Sequence, residues 1–278
     1  MPCQVKNNNP LRRPGQWRAP AAKAVAGVLL MAALALGAQP AAANLRAPIT
    51  RHAPSGALRG PGQGLSVVSE SLRIQCGGDC AVKAVYQVRA RAAGSRQFEF
   101  ILPSSSQVTV RTTTSSPQAH TGPFVLPERE SPGGEPRFIT SVPLAKAVFQ
   151  AVLQKGGNEL AISYQQPWGQ EERKFEGYFS GWKSARVLRY ELWPLKEWRL
   201  AKEFSLRIRI TVSPEAAAGQ KVLLLAYPTR AGKPVVWQQA PAQRDHQGIA
   251  FDLDLGRDFP DRLEILLGPE DILPGGRP

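Results

Sequence analysis

Residues 204–212 read FSLRIRITV, which is the clearest alternation of apolar and polar side chains in the chain. Apolar side chains occupy every second position, and Ser205, Arg207 and Arg209 stand between them. Because successive side chains of a β-strand point to opposite faces, the alternation predicts a strand with one buried and one exposed face.

The same two-residue period recurs along most of the chain. It is present in the segments 81–91, 98–102, 108–110, 160–164, 222–225, 249–255 and 263–267. Short strands separated by Pro- and Gly-rich turns are typical of antiparallel sandwiches. Only one helical turn is predicted, within residues 194–202, with Pro194 at its first position. We therefore expect an all-β fold, an antiparallel β-sandwich of immunoglobulin-like architecture.

The chain is expected to contain two such sandwiches in tandem, residues 62–166 and 167–270, because composition changes at that boundary. One continuous larger sandwich is the competing interpretation. Residues 44–61 have the composition of a flexible leader, and residues 271–278 are expected to be a tail. The polar, proline-rich stretch 114–136 is expected to be an exposed loop or a covering arm.

The first 43 residues have the pattern of a cleavable signal peptide. A basic region without acidic residues precedes a short apolar run at 24–36, and a transmembrane helix would need about 20 apolar residues. An A-x-A cleavage site ends at Ala43, so the mature chain is expected to begin near Asn44. An uncleaved anchor and the twin-arginine route through Arg12-Arg13 are the alternatives. The pattern predicts export to the periplasm or beyond, without a transmembrane anchor.

The positive charge is smaller in the expected mature chain than in the whole sequence. The formal net charge is +13 overall, and five of the 35 basic residues but none of the 22 acidic residues precede Asn44. The mature chain therefore carries a formal charge of +8. Such a charge favours polyanions or membrane surfaces as partners. The basic residues are scattered among acidic ones, however, which favours an ordinary solvated surface.

The two cysteines of the mature chain predict a disulfide across a tight hairpin. Cys76 and Cys80 flank Gly-Gly-Asp between two alternating runs. The register that pairs these cysteines also places four apolar residues opposite each other on the same face: Ile74 with Val82, and Leu72 with Ala84. A redox-active pair is less consistent with the C-x₃-C spacing, and a zinc site would need two further ligands.

No familiar catalytic motif is present in the sequence. The three histidines, His52, His120 and His246, lie far apart in segments that resemble loops. Asp252 and Asp254 alternate with apolar residues, which indicates the outward face of a strand rather than a calcium loop. Two acids distant in sequence could still meet as a glycosidase pair. We expect a non-enzymatic protein with no catalytic residue, no metal and no cofactor.

Residues 164–198 are unusually rich in aromatic side chains, with Lys and Arg between them. Aromatic side chains commonly fill a sandwich core, and this is one interpretation of the segment. The other is a binding platform, because exposed rings stack on sugars and nearby cations contact charged groups. The candidate ligand-binding residues on such a platform are Trp168, Trp182, Lys183 and Arg186.

Three motifs carry a resemblance to a known group. These are FEFILP at 98–103, GNELAISY at 157–164 and LRYELWP at 188–194. The pattern resembles an uncharacterised group of bacterial secreted β-sandwich proteins and covers most of the mature chain. The resemblance implies a fold and an exported location, and it transfers no functional residue.

Three functions follow as hypotheses. The first is an exported, non-enzymatic protein that binds an envelope glycan or protein partner but no nucleic acid. The second is a structural or assembly module that acts through exposed strand edges or the 114–136 stretch. The third is a hydrolase with a carboxylate pair that sequence motifs do not reveal.

Overall fold

A computed structural model describes most of the chain after residue 48. The described residues are 49–52, 55–59, 64–124, 138–141, 143–175, 181–229, 235–236, 243–245 and 248–269. The expected signal peptide at 1–43 and the expected tail at 271–278 lie outside these ranges. Within the expected leader, residues 49–52 and 55–56 form strands, and Ala57 and Leu58 are buried.

The described residues form β-strands and two one-turn helices. In chain order the first nine strands are β1 (Ile49–His52), β2 (Ser55–Gly56), β3 (Leu65–Cys76), β4 (Cys80–Ala90), β5 (Gly94–Pro103), β6 (Val108–Thr112), β7 (His120–Phe124), β8 (Phe138–Ser141) and β9 (Leu144–Leu153). They are followed by β10 (Gly156–Gln166), β11 (Gly169–Phe175), β12 (Gly181–Glu191), α1 (Trp193–Lys196), β13 (Leu200–Val212), α2 (Pro214–Ala217), β14 (Lys221–Tyr227), β15 (Val235–Val236), β16 (Gln243–Asp245), β17 (Gly248–Leu255) and β18 (Arg262–Gly268). The predicted all-β class is confirmed. No helix among these residues is long and apolar enough to cross a bilayer.

The strands form three sheets. The eight-stranded sheet has the order β15-β14-β18-β12-β11-β1-β8, with β2 paired to β12. The seven-stranded sheet has the order β16-β17-β13-β3-β4-β10-β6, and the smallest sheet has the order β5-β9-β7. Most neighbouring strands are antiparallel, but β13 runs parallel to β3, β1 to β8, and β2 to β12. The predicted antiparallel arrangement does not describe these three pairs.

The predicted division at residue 166 runs through the seven-stranded sheet. Strands β3, β4, β6 and β10 come from the first predicted sandwich, and β13, β16 and β17 come from the second. Their buried side chains belong to one core, in which Leu72 and Ile208 both take part. Because the parallel pairing of β3 and β13 joins the two halves by hydrogen bonds, the sheet is continuous across this boundary.

The hairpin between β3 and β4 forms in the predicted register. Cys76 pairs with Cys80, Ile74 with Val82 and Leu72 with Ala84, and all six side chains are buried. The Sγ atoms of the two cysteines are 2.10 Å apart, in a disulfide, and their Cα atoms are 4.0 Å apart. Local alternation was sufficient to predict this register because one-residue slippage would turn the apolar set outward.

Strand β13 and helix α1 also follow their predicted patterns. The alternate apolar side chains from Phe204 to Val212 are buried, and Arg207 and Arg209 are exposed. The predicted helical turn forms as α1, but it begins at Trp193, so Pro194 is its second residue and not its first. The 114–136 stretch is different, because residues 120–124 form strand β7, which pairs with β9. Residues 125–136 of that stretch lie outside the described ranges.

Candidate functional site

Trp168 and Arg186 lie together beside the tip of the β3–β4 hairpin. The Trp168 indole Nε1 donates a hydrogen bond to the carbonyl of Gly77, with an N···O distance of 3.0 Å. The guanidinium of Arg186 lies 5.4 Å from the ring centroid, and its Nη2 donates to the carbonyl of Ala216 at 2.9 Å. The ring also packs against the main core. Both side chains therefore have partners within the fold.

The four residues proposed for a platform are only partly brought together. Trp168 and Arg186 are in contact, as described above. Lys183 is half-buried and has a partner within the chain, and the side chain of Trp182 lies outside the described part. Elsewhere in the aromatic segment, Tyr164 and Tyr190 are buried in the core. The ligand-binding role of the four residues stays a prediction.

Two of the three histidines lie in strands of the structure. The expectation that they lie in loops is wrong for two of them, because His52 ends β1 and His120 begins β7. These two strands belong to different sheets. His246 lies outside the described residues. Among the described residues, no cluster of three or more His, Cys, Asp or Glu side chains could hold a metal ion.

A bulge in β3 places a carboxylate in the core. Val67 pairs with Val88 and Ser69 with Gln87, so Val68 is the extra residue on β3. The bulge reverses which alternate positions face inward, and Glu70 becomes fully buried. Burial raises the pKa of Glu70 to about 7, against the opposing effect of hydrogen bonds from the Tyr86 and Tyr190 hydroxyls.

Glu264 is a second buried carboxylate, in a different environment. Its Oε1 lies 2.6 Å from Nε of Arg189 and 3.3 Å from Nε of Arg262, and Oε2 accepts a hydrogen bond from the Tyr227 hydroxyl at 2.6 Å. Burial alone would raise the pKa of Glu264, but the two arginines outweigh it and the pKa is lowered. The carboxylate is therefore ionised and paired.

The two buried acids do not face each other. Glu264 pairs across the sheet with Arg189, so these two side chains share one face of the eight-stranded sheet. The next residue, Tyr190, points to the opposite face, where its hydroxyl lies 3.5 Å from Oε1 of Glu70. A glycosidase pair requires two carboxyl groups on either side of one substrate bond. Glu70 and Glu264 do not make that arrangement.

A basic groove lies at one end of the seven-stranded sheet. Its volume is about 490 Å³, and its lining includes five cations and one acid: Arg89, Arg91, Arg199, Lys202, Arg257 and Glu203. These residues come from the end of β4, the start of β13 and the turn after β17, and the start of β3 lies between them. Because β3 and β13 are parallel while β4 and β17 run antiparallel to them, all four places are at the same end of the sheet.

An irregularity in β13 shapes this groove. Leu200 pairs with Val67, but the next regular pair is Ser205 with Ser69. Arg257 bonds to the backbone at the start of this irregular stretch, with its Nη2 2.8 Å from the Leu200 oxygen and 2.7 Å from the Ala201 oxygen. The guanidinium is thereby held at the groove wall.

The cations of the groove outnumber the acid that can neutralise them. Arg89 contacts Glu203 at 3.1 Å, and both side chains are more than half exposed. The pKa of Glu203 is lowered, first by a hydrogen bond from its own backbone N–H and then, against an opposing effect of desolvation, by Arg89. Within the described part of the chain, Arg91, Arg199 and Lys202 have no carboxylate at salt-bridge distance. The groove therefore presents uncompensated positive charge.

Sequence inspection did not identify this groove. Its five cations are spread over residues 89–257 among acidic residues, of which Glu203 lines the groove. The charge of the mature chain was the available signal, but it does not say where the cations meet. Only the pairing of β3 with both β4 and β13 brings them together.

Comparison with known proteins gives a fold and no family. No protein-family model and no curated protein matches the chain. Among solved structures it is similar to a proposed nutrient-binding protein from Legionella pneumophila, with 11% identity, a TM-score of 0.52, and coverage of 80% of this chain and 73% of that chain. This likeness supports the all-β fold.

Two further solved structures are more distant. Yeast LTA4 hydrolase in complex with bestatin has 10% identity and a TM-score of 0.38, and the match covers 76% of this chain and 29% of that chain. An M1 zinc metallopeptidase from Deinococcus radiodurans has 12% identity and a TM-score of 0.35, with 74% and 42% covered. The chain spans less than half the length of either enzyme, and these likenesses carry no argument about activity.

Proposed function

We propose that this protein is an exported, non-enzymatic binding protein of the cell envelope and that the basic groove binds an anionic glycan. The observation that carries the proposal is the convergence of five cations and one acid on a single concave surface. Concave surfaces with one sign of charge concentrate ligands of the opposite sign. The export pattern of residues 1–43 makes an envelope component the natural ligand.

The chemistry of the groove favours carboxylate- or sulfate-bearing sugars. Arginine donates paired hydrogen bonds that match the geometry of a carboxylate. Four of the five cations are arginines, and one of them, Arg257, is held in place by backbone carbonyls. A held guanidinium loses less conformational entropy on binding than a free one.

The test is calorimetric titration of the purified protein with polygalacturonate, with neutral dextran as the control ligand. Arg199→Glu reverses one charge of the groove and is expected to weaken polygalacturonate binding about fivefold, since an exposed ion pair contributes about 0.2–1 kcal/mol and the reversal adds repulsion. Raising the salt concentration should weaken binding to the unmodified protein.

The matched control is Lys221→Glu, the same change of charge at the start of β14. Lys221 follows α2, which lies beside the hairpin tip because the Ser213 N–H donates to the Cys76 carbonyl. The 13 residues of β13 separate that end from the groove, about 40 Å of strand and several times the range of screened charges. The affinity of this variant should stay within about twofold of the unmodified protein.

Three results would count against the proposal. Equal losses in Arg199→Glu and Lys221→Glu would mean that only net charge matters. Saturable binding of dextran would show that charge does not select the ligand. Absence of polygalacturonate binding would exclude an anionic glycan as the ligand. If the partner is a protein and not a glycan, the groove should bind that protein and should not bind polygalacturonate.

Two finer predictions from the sequence are separate from the proposal for the groove. An immunoglobulin-like arrangement of the strands stays a prediction, as does a second contact at Trp168, Trp182, Lys183 and Arg186. The Legionella protein is named as a proposed nutrient-binding protein, and the shared fold is compatible with a binding role here.

A further inference from the structure

A second group of cations lies on the outward face of the seven-stranded sheet. Arg209 of β13 pairs with Arg73 of β3, and Arg73 pairs with Lys83 of β4. Directly paired residues point to the same face, and neighbouring strands lie about 4.8 Å apart. These three residues, which we call the cation row, therefore lie side by side across about 10 Å of the sheet.

The cation row is exposed and only partly compensated. All three side chains are exposed, and the acid next to them is Asp252, whose Oδ1 lies 3.6 Å from Nη1 of Arg209. Among the described residues, Arg73 and Lys83 have no carboxylate at salt-bridge distance. Like charges directly opposite each other destabilise a sheet. Three adjacent cations on an open face are thus a cost to folding that a bound anion would remove.

The cation row and the basic groove lie on one continuous face. Lys83 and Arg89 both point outward from β4, six residues apart, which corresponds to about 20 Å along a strand. On the neighbouring strand β3, the outward positions between them carry Ser71, Ser69 and Ser66. Their hydroxyl groups can hydrogen-bond to a sugar, and none of them carries a negative charge that would repel an anionic ligand.

The acid nearest to this path on the β10 side has a partner of its own. Glu159 pairs with Gln87 of β4, and its Oε2 accepts a hydrogen bond from the Gln87 side-chain amide at 2.9 Å. The serines lie on the other side of β4, toward β13. A ligand that follows the serines therefore keeps β4 between itself and this carboxylate.

We propose that the anionic glycan is a polymer that binds the basic groove and extends along β3 to the cation row. This inference rests on the proposed function and specifies its ligand as a chain of several charged sugars. A single sugar cannot reach both groups of cations. A polymer that occupies one group places its next charges near the other, which raises the effective concentration at the second contact.

The experiment compares a galacturonate trisaccharide with long-chain polygalacturonate on the variant R73Q/K83Q. Both substitutions remove an exposed charge from a row of like charges, so the temperature of thermal unfolding should not fall below that of the unmodified protein. We expect the variant to bind long-chain polygalacturonate about fivefold more weakly and the trisaccharide unchanged, because only the polymer reaches the cation row.

The matched control K146Q/K221Q also removes two charges. Lys146 belongs to the three-stranded sheet and Lys221 to the eight-stranded sheet, so neither lies on the face that carries the groove and the cation row. Both affinities of this variant should equal those of the unmodified protein. A loss of polymer binding as large as that of R73Q/K83Q would show that the total charge, not the path, determines affinity.

The remaining outcomes separate this inference from the proposed function. If R73Q/K83Q binds the polymer normally while Arg199→Glu weakens it, the ligand is confined to the groove and the extended path is wrong. If neither ligand binds at all, the proposed function fails as well. If vesicles containing anionic phospholipid bind through the cation row and polygalacturonate does not bind, the face contacts a membrane. The proposal of a glycan polymer is then wrong.

Discussion

The two ends of the β3–β4 hairpin use arginine in opposite ways. At the tip, Arg186 covers the ring of Trp168 and bonds to a backbone carbonyl. At the base, Arg91 and Arg199 line an open groove with no acid partner among the described residues. A stretch of sequence rich in aromatic and basic residues can thus have a structural role, while cations scattered along the chain can assemble a site. Mutations at the tip should therefore change the stability of the protein, and mutations at the base should change its binding.

Glu70, which lies in the β3 strand of the hairpin, should produce the largest effect on stability, and this effect depends on pH. Since the pKa of Glu70 is raised to about 7 in the folded protein, folding favours its protonated form. Its contribution is fully present below the unfolded pKa of about 4.5 and is lost as pH rises to about 7, so the free energy of unfolding should fall by about 3 kcal/mol across this range.

Urea unfolding at a series of pH values measures this loss, and Glu70→Gln is the control. Glutamine has no charge to gain, so the variant should show a shallower decline between pH 4.5 and pH 7. Glu264 contributes with the opposite sign, because its lowered pKa gives stability that disappears at lower pH. An identical decline in protein and variant would show that another group is responsible.

Removing the disulfide at the tip should have the next largest effect. C76A/C80A opens a loop of five residues, and loop-closure entropy predicts a loss of about 2 kcal/mol in the free energy of unfolding. Denaturant unfolding of the variant, compared with the oxidised protein, tests this value. Polygalacturonate affinity should not change, because the groove lies at the other end of the hairpin. If the variant keeps its full stability but binds polygalacturonate more weakly, the roles assigned to the two ends of the hairpin are wrong.

Trp168→Phe should produce the smallest effect. The substitution keeps a ring beneath Arg186 but removes the indole donor to the Gly77 carbonyl, which should cost about 1 kcal/mol of stability. Polygalacturonate titration of the same variant distinguishes the tip from the base. Unchanged affinity is expected. Loss of affinity with unchanged stability would instead support the predicted platform at Trp168.

Several structural features could be predicted because they depend on local alternation. The FSLRIRITV stretch predicts β13 and its outward arginines, and the Cys76–Cys80 spacing predicts the whole hairpin register up to the bulge. The bulge at Val68 could not be predicted, although it decides that Glu70 is buried. The apolar positions of β3 change phase between Val67 and Leu72, but this change does not show which of the residues 68–71 is extra, because that depends on how β3 meets β4 and β13.

The all-β class, the faces of the strands outside the bulge and the disulfide follow from the amino-acid sequence, because each depends on contacts between residues close along the chain or on the two-residue period of a strand. The tertiary structure decided which strands become neighbours. The parallel pairing of β3 with β13 makes one sheet from the two halves and places Arg89, Arg199 and Arg257 around one groove. Such pairings join residues more than 100 positions apart, and local pattern contains no information about that choice.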